Sequence, residues 1–284
     1  MRAGPLFVRQ AALAALAALT ALAGCAAAPQ PDTWPLTQPV LLFGEVHDNA
    51  AQHADRLRAF ESVLARGARP VLAMEQLDRD RQGAIDAVLR QTPPGTADDV
   101  IQAGAPAGPG WNWAFYRPFI VLALQHGQPV VAANVSRDDA RRVMRDGLAA
   151  TGFQEPVPAD VLAAYGRDIV DSHCGMVDLP TAQRMASAQV ARDQFMARVL
   201  VDNAGRGVVL LAGNGHVRTD IGAPRWLPMA VRLRSTAIGW LEEGAGDNRQ
   251  VFDAVRMTAP QQRPDPCEGM RKKIPATPAP AAAR

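Results

Sequence analysis

The chain has 284 residues, 48% of them hydrophobic, with 23 prolines, 23 glycines and a formal net charge of +2. Two of its 30 basic residues, Arg2 and Arg9, lie within the first two dozen positions, whereas all 28 acidic residues follow Gly24, so the rest of the chain is electrically balanced. That balance excludes the broad basic surface of a nucleic-acid binder, and roughly 260 residues suffice for one large domain with a full core.

Arg2 and Arg9 precede an uncharged Ala/Leu run from Ala11 to Ala23, the pattern of a signal peptide over residues 1–24. The run falls short of the roughly 20 apolar residues of a spanning helix and ends in Leu22-Ala23-Gly24-Cys25, a match to the bacterial lipobox. The sequence therefore predicts a lipoprotein, acylated at Cys25 and tethered through residues 25–37. Ala26, where an Asp would signal retention, points to the outer membrane facing the periplasm. Such an oxidising compartment permits the other two cysteines, Cys174 and Cys267, to pair.

Along the chain, Pro39 to Phe43 is an apolar run followed by Gly44-Glu45-Val46-His47 and a helical stretch carrying Leu57, Phe60 and Leu64 on one face. The unit recurs. Pro70 to Met74 leads into Glu75 and a helix with Ile85, Val88 and Leu89 that stops at Pro93-Pro94. A helix from Phe119 to Gln125, closed by Gly127, precedes a strand from Pro129 to Ala133. Val208 to Ala212 is a fourth strand, opening into Gly213-Asn214-Gly215-His216. Strands alternating with helices predict an α/β domain over 38–258, with a mostly parallel central sheet flanked by helices and a helical lid inserted at about 151–205. The segment 259–284 reads as a Pro/Ala-rich tail, mobile except where Cys267 is tied down.

In an open parallel sheet, residues just past the strands' carboxyl ends line the ligand crevice. Here they are Glu45, His47 and Asp48, then Glu75, then Asn134 and Arg137, then Asn214 and His216. Singly, each reads as structural, Asp48 as a helix cap for example; together, two imidazoles and two carboxylates read as metal or proton chemistry. His53 and His126 fall within helices and read as surface or packing residues.

Several segments in order carry a resemblance: Gly44-Glu45-Val46-His47-Asp48-Asn49; Ala73-Met74-Glu75-Gln76; Tyr116-Arg117-Pro118; Asn134-Val135-Ser136-Arg137; His173-Cys174-Gly175; Ala188 to Asp193; and Leu211 to Arg218. From Val40 to about Leu227 the chain resembles the ChaN-like haem-binding lipoprotein family, whose wider superfamily includes erythromycin esterases and Tiki metalloproteases. The resemblance implies haem as cofactor, a role in iron uptake, and a possible homodimer that completes the haem pocket.

Haem needs an axial ligand, an apolar slot and cations for its propionates. Family members that bind haem resemble tyrosinate-ligated carriers, which makes Tyr165, in the insertion, the first choice over Tyr116, with His173 and Met176 as competing donors. Met176, Met185, Phe195 and Met196 form the expected slot; the alternative is that they only fill a helical core. With lysine confined to Lys272 and Lys273, Arg184, Arg192 or Arg198 serves the propionates. The competing reading is a hydrolase at the strand ends. There, His47 acts as base, positioned by Glu45 and Glu75, or His47, His216 and Glu45 hold a divalent metal; Arg117 or Asn214 stabilises the oxyanion.

Overall fold

A computed structural model describes residues 36–105, 110–244 and 249–271. The segment expected to be a signal peptide, the expected lipidation site Cys25, most of the expected tether and residues 272–284 lie outside the described residues. Six strands form one sheet: β1 (Val40–Phe43), β2 (Val71–Asp78), β3 (Val130–Asn134), β4 (Val208–Leu211), β5 (Ser235–Glu242) and β6 (Ala254–Thr258). Their order is β3-β2-β4-β1-β5-β6, and every pairing is parallel. Both faces are covered, so the strands read as unbroken apolar runs such as Val208-Val-Leu-Leu211.

The helices are α1 (Ala50–Ala65), α2 (Gln82–Leu89), α3 (Ala97–Gly104), α4 (Trp113–Gln125), α5 (Arg137–Asp146), α6 (Ala159–Ser172), α7 (Leu179–Asn203), and the short α8 (Asn214–Val217), α9 (Met229–Arg232) and α10 (Pro266–Arg271). Local chemistry sets their starts. The Asn49 side chain accepts from the Gln52 amide at 3.1 Å and caps α1, one residue past the Asp48 expected in that role. Ser136 caps α5, and Asp178 caps α7, which has Pro180 in its first turn.

Two cores result. Val40, Leu42, Val71, Ala73, Leu210 and Ala237 of the sheet pack with Met196, Val199 and Leu200 of α7. A second core joins α5, α6 and α7 through Val143, Val161, Tyr165, Ile169, Ala186 and Val190. The insertion is thus a helical layer with its own interior, and α7 is shared between the two.

Two features depart from the sequence reading. β5 and β6 extend the sheet beyond the four anticipated strands. Residues 259–271, expected to be loose except at Cys267, are held more widely: Arg263 meets Asp48 at 2.6 Å and Glu242 at 2.7 Å, while the Cys174–Cys267 pairing that the sequence permits is present at the turn between α6 and α7.

Candidate functional site

Because all strands run parallel, their carboxyl ends share one edge, where the segments after β1 and β4 meet the end of β2. Close approach there depends on two glycines. A Cβ on Gly213 would stand 2.8 Å from His47 Cε1 and 3.0 Å from its Nε2; one on Gly44 would stand 2.2 Å from Asn214 Oδ1.

Glu45 is buried. Its Oε1 accepts from the Tyr116 hydroxyl at 2.6 Å and from His47 Nδ1 at 2.8 Å, while Oε2 pairs with the wholly buried Arg56. Arg56 also donates to the Phe43 carbonyl at 3.2 Å, and burial lowers its pKa to about 9. The Glu45 contact fixes the His47 tautomer, leaving Nε2 as the basic nitrogen beside Gly213. Trp111 covers His47 edge-on at 4.9 Å, and buried His53 donates from Nε2 to the His47 carbonyl at 2.9 Å.

The second imidazole sits in a chain of buried groups. Tyr165 donates its hydroxyl to Asp193 Oδ2 at 2.5 Å, His216 Nδ1 donates to Asp193 Oδ1 at 2.7 Å, and His216 Nε2 stands 3.6 Å from Glu75 Oε1. Glu75 Oε2 accepts the Gly213 amide at 2.7 Å. Burial alone would depress the His216 pKa, but Asp193 and Glu75 outweigh it and hold it above its ordinary value. Burial likewise opposes ionisation of Glu75, yet His216, His47 and the Gly213 amide bring its carboxyl below the usual range. Burial raises Asp193 and pushes the Tyr165 phenol well up.

A cleft of about 310 Å³ opens beside these groups, lined by Glu75, Asp78, Trp111, Asn134, Arg137 and Arg192. Asn134 Oδ1 and Arg192 Nε have no hydrogen-bond partner among the described residues. Burial, then Asp80, raises the Asp78 carboxyl to about 6.

The strand-end cluster expected from sequence, Glu45, His47, Glu75 and His216, is therefore brought together, but several assigned roles are not. Arg117 is drawn away by Asp98 at 2.8 Å, exposed and outside the cluster, so it is no oxyanion group. Asn214 spends its amide on the Trp240 backbone, at 2.6 and 3.2 Å. Among the described residues no three His, Cys, Asp or Glu side chains converge as a metal-binding group; His216 Nδ1 is turned to Asp193. Asp48 belongs to Arg263.

The haem assignments divide in the same way. Tyr165 and Tyr116 are both buried, each hydroxyl donated to a carboxylate, so neither offers a phenolate to an iron at the surface. Met196 is sealed in the sheet core, Met185 packs against the second core, and Phe195 lies under the Arg79 guanidinium, so the four-residue slot does not form. Arg192 lines the strand-end cleft, and Arg198 lies further along α7. At the turn after α6, by contrast, half-buried His173 donates from Nδ1 to the Ile169 carbonyl at 2.8 Å, which leaves Nε2 as its acceptor nitrogen. Met176 and Leu179 (67% exposed) follow in the same turn, and exposed Arg184 lies in the first turns of α7. Sequence reasoning missed Asp193, Arg56, Trp111 and the part played by His53. Asp193 had a signal: a carboxylate next to Arg192 in a helix whose neighbours Val190 and Ala191 are apolar.

Residues 36–227 match the model of the family described as haem-binding uptake, Tiki superfamily, ChaN. The chain belongs to this family. Among solved structures it is similar to ChaN of Campylobacter jejuni, described as binding haem cofacially, with 21% identity and a TM-score of 0.63 over 78% of this chain and 87% of that one. Looser likenesses are an erythromycin esterase mutant (14% identity, TM-score 0.44, 73% of this chain and 71% of that one) and the type III effector HopBA1 (12%, 0.42, 78% and 88%). No curated protein matches the chain. The ChaN-family fold is an all-parallel α/β sheet with a helical insertion in this member.

Proposed function

We propose that the protein is a haem-binding lipoprotein of the cell envelope, anchored at Cys25 in the outer membrane facing the periplasm, that serves haem uptake. The observation that carries haem binding is membership of the ChaN family over residues 36–227. Bound haem supplies an iron centre and a flat apolar macrocycle; what this chain offers in return lies at the α6–α7 turn. His173 holds its ring by the backbone carbonyl of Ile169, the arrangement that orients metal-binding imidazoles, and presents Nε2. Met176 and Leu179 give the macrocycle an apolar face, and Arg184 gives a propionate its cation. His47 is the poorer donor, since its Nε2 is turned against Gly213. One turn covers one haem face, so a second copy of the chain, with its own haem, closes the other.

Titration of the protein with haemin tests this reading. A saturable Soret shift, accompanied by a doubling of mass in sedimentation, is the expected result, and His173→Ala weakens binding at least tenfold while Tyr165→Phe does not. No saturable shift in the parent protein sinks the reading.

One observation favours a second activity, hydrolysis of a small ester or amide at the strand ends. The basic Nε2 of His47, oriented by Glu45, and the Asp193-His216-Glu75 chain meet beside a cleft that also presents Arg137 and Arg192. In this reading His47 takes a proton from water as the water oxygen adds to the carbonyl carbon, then returns that proton to the alcohol or amine that leaves as the C–O or C–N bond breaks, and the guanidinium groups receive the carboxylate product. Gly213→Ala displaces the His47 ring; turnover of a chromogenic ester lost in that variant, with haemin binding intact, supports it.

A further inference from the structure

The amino edge of the sheet, opposite the cluster just described, carries a pattern that neither haem binding nor hydrolysis uses. Three of the parallel strands are preceded within two residues by an arginine: Arg69 ahead of β2, Arg206 ahead of β4 and Arg234 ahead of β5. Parallel topology gathers all three at one place. There they line a groove of about 350 Å³ together with Leu36, Pro39 and Pro70. All three are exposed, and Arg66 at the end of α1 joins them.

None of these four arginines has a carboxylate partner among the described residues. Arg66 donates to the Leu36 carbonyl at 2.9 Å and to Ser62; Arg69 donates to the Leu64 and Ala68 carbonyls; Arg206 donates to the Arg69 carbonyl. These contacts satisfy donors without neutralising charge. Asp253, the carboxylate beside β5, is held by Arg232 at 2.7 Å, and exposed Asp202, four residues before Arg206, pairs with none of them.

Beside Arg234 stand Met229 (70% exposed), which opens α9, and Leu233 (72%), which follows its last residue and donates its amide to the Met229 carbonyl; they are two of the four large apolar side chains exposed among the described residues. The chain also enters the domain here: Leu36 lies in the same groove, and the 35 residues ahead of it include the apolar run Ala11 to Ala23. No described helix is long and apolar enough to cross a membrane, so contact with a bilayer at this edge would be peripheral.

We infer that this edge is a membrane-contact face, on which Arg66, Arg69, Arg206 and Arg234 meet the anionic headgroups of a bilayer while Met229 and Leu233 enter its interfacial layer. Guanidinium groups suit the task because their planar donors match phosphate oxygens and their stems lie along apolar surface. The face turns the opposite edge, with the strand-end cluster, toward solvent.

Co-sedimentation with vesicles tests the inference, using the full chain carrying Cys25→Ser so that lipidation plays no part. Vesicles of phosphatidylcholine alone are compared with vesicles that also contain phosphatidylglycerol. The expected result is binding that rises with phosphatidylglycerol and weakens with added salt. Arg69→Ser/Arg206→Ser/Arg234→Ser loses about a hundredfold in partitioning, at roughly fivefold per cation near an anionic surface, while the corresponding triple lysine variant retains most of it. Met229→Ser/Leu233→Ser loses a portion that salt does not affect. The apolar run is common to all variants, so their difference reads this edge alone. Equal binding of parent and triple serine variant, with circular dichroism showing both folded, overturns the inference, as does indifference to phosphatidylglycerol.

Discussion

Tyr165 and Asp193 share a proton donor and acceptor across 2.5 Å inside the helical core, with His216 on the carboxylate's other oxygen. The phenol is thereby structural. Tyr165→Phe removes one donor from a buried carboxylate and costs about 1–3 kcal/mol of stability, read from urea unfolding. The Soret spectrum of the haemin complex stays unchanged in that variant.

The same carboxylate governs His216. A histidine whose pKa is raised in the folded protein contributes stability that is complete below its unfolded value and is lost as pH rises through the folded one. The imidazole proton resonances of His216 therefore titrate with a midpoint above the ordinary 6.5, and Asp193→Asn moves that midpoint down. Replacing His216 by Gln destabilises the protein more at about pH 6 than at about pH 9.

Asp78 behaves in the opposite sense. Its carboxyl, raised to about 6, is held in a fold that favours the protonated form, so the ionised group costs stability above that pH. The cost fades as pH falls through 6 and is absent below the unfolded value. Asp78→Asn stabilises the protein by about 1–2 kcal/mol near pH 8, after allowance for solvent screening, and by almost nothing near pH 4. Thermal unfolding at the two pH values checks this.

Arg56 and Glu45 form an ion pair from which water is excluded. Removing one partner strands a charge, so Arg56→Met lowers stability by about 3–5 kcal/mol. The double variant Arg56→Met/Glu45→Gln recovers part of that loss. Denaturant midpoints for the two variants and the parent measure the coupling.

The Cys174–Cys267 bond spans 93 residues of sequence and fastens the segment after β6 to the turn that bears His173. Cys267→Ser costs about 2–4 kcal/mol, and residues 259–271 become the first site cut in limited proteolysis. Arg263 on Asp48 and Glu242 delays that cutting, so adding Arg263→Ala accelerates it further.

The strand-end cluster was legible because three of its positions, Glu45, His47 and His216, follow apolar runs interrupted by glycine, a pattern that local sequence alone displays. Glu75 was found for a related reason, although it lies within β2 and not past its end. Their partners were hidden. Arg56 occupies a helix face that becomes buried only through tertiary packing, and nothing in the spacing of α1 distinguishes its charge from a solvated one; Asp193 was marked only by its apolar neighbours Val190 and Ala191. Tyr165 was misjudged because exposure, which decides whether a phenol can reach a metal, is set by the α6–α7 contact and not by the residue's own segment. β5 and β6 went unread because Ser235, Thr236 and Gly239 interrupt one apolar run and Arg256 the other.

The pairing of β1 with segments far along the chain has a consequence for the order of folding. Val40 aligns with Val208 on one side and Ser235 on the other, so the two central ladders wait for nearly the whole polypeptide to emerge. Loop closure of that length is slow compared with forming a helix hairpin such as α6–α7. The α6–α7 hairpin therefore forms ahead of the central ladders, and the sheet is the last part of the domain to close.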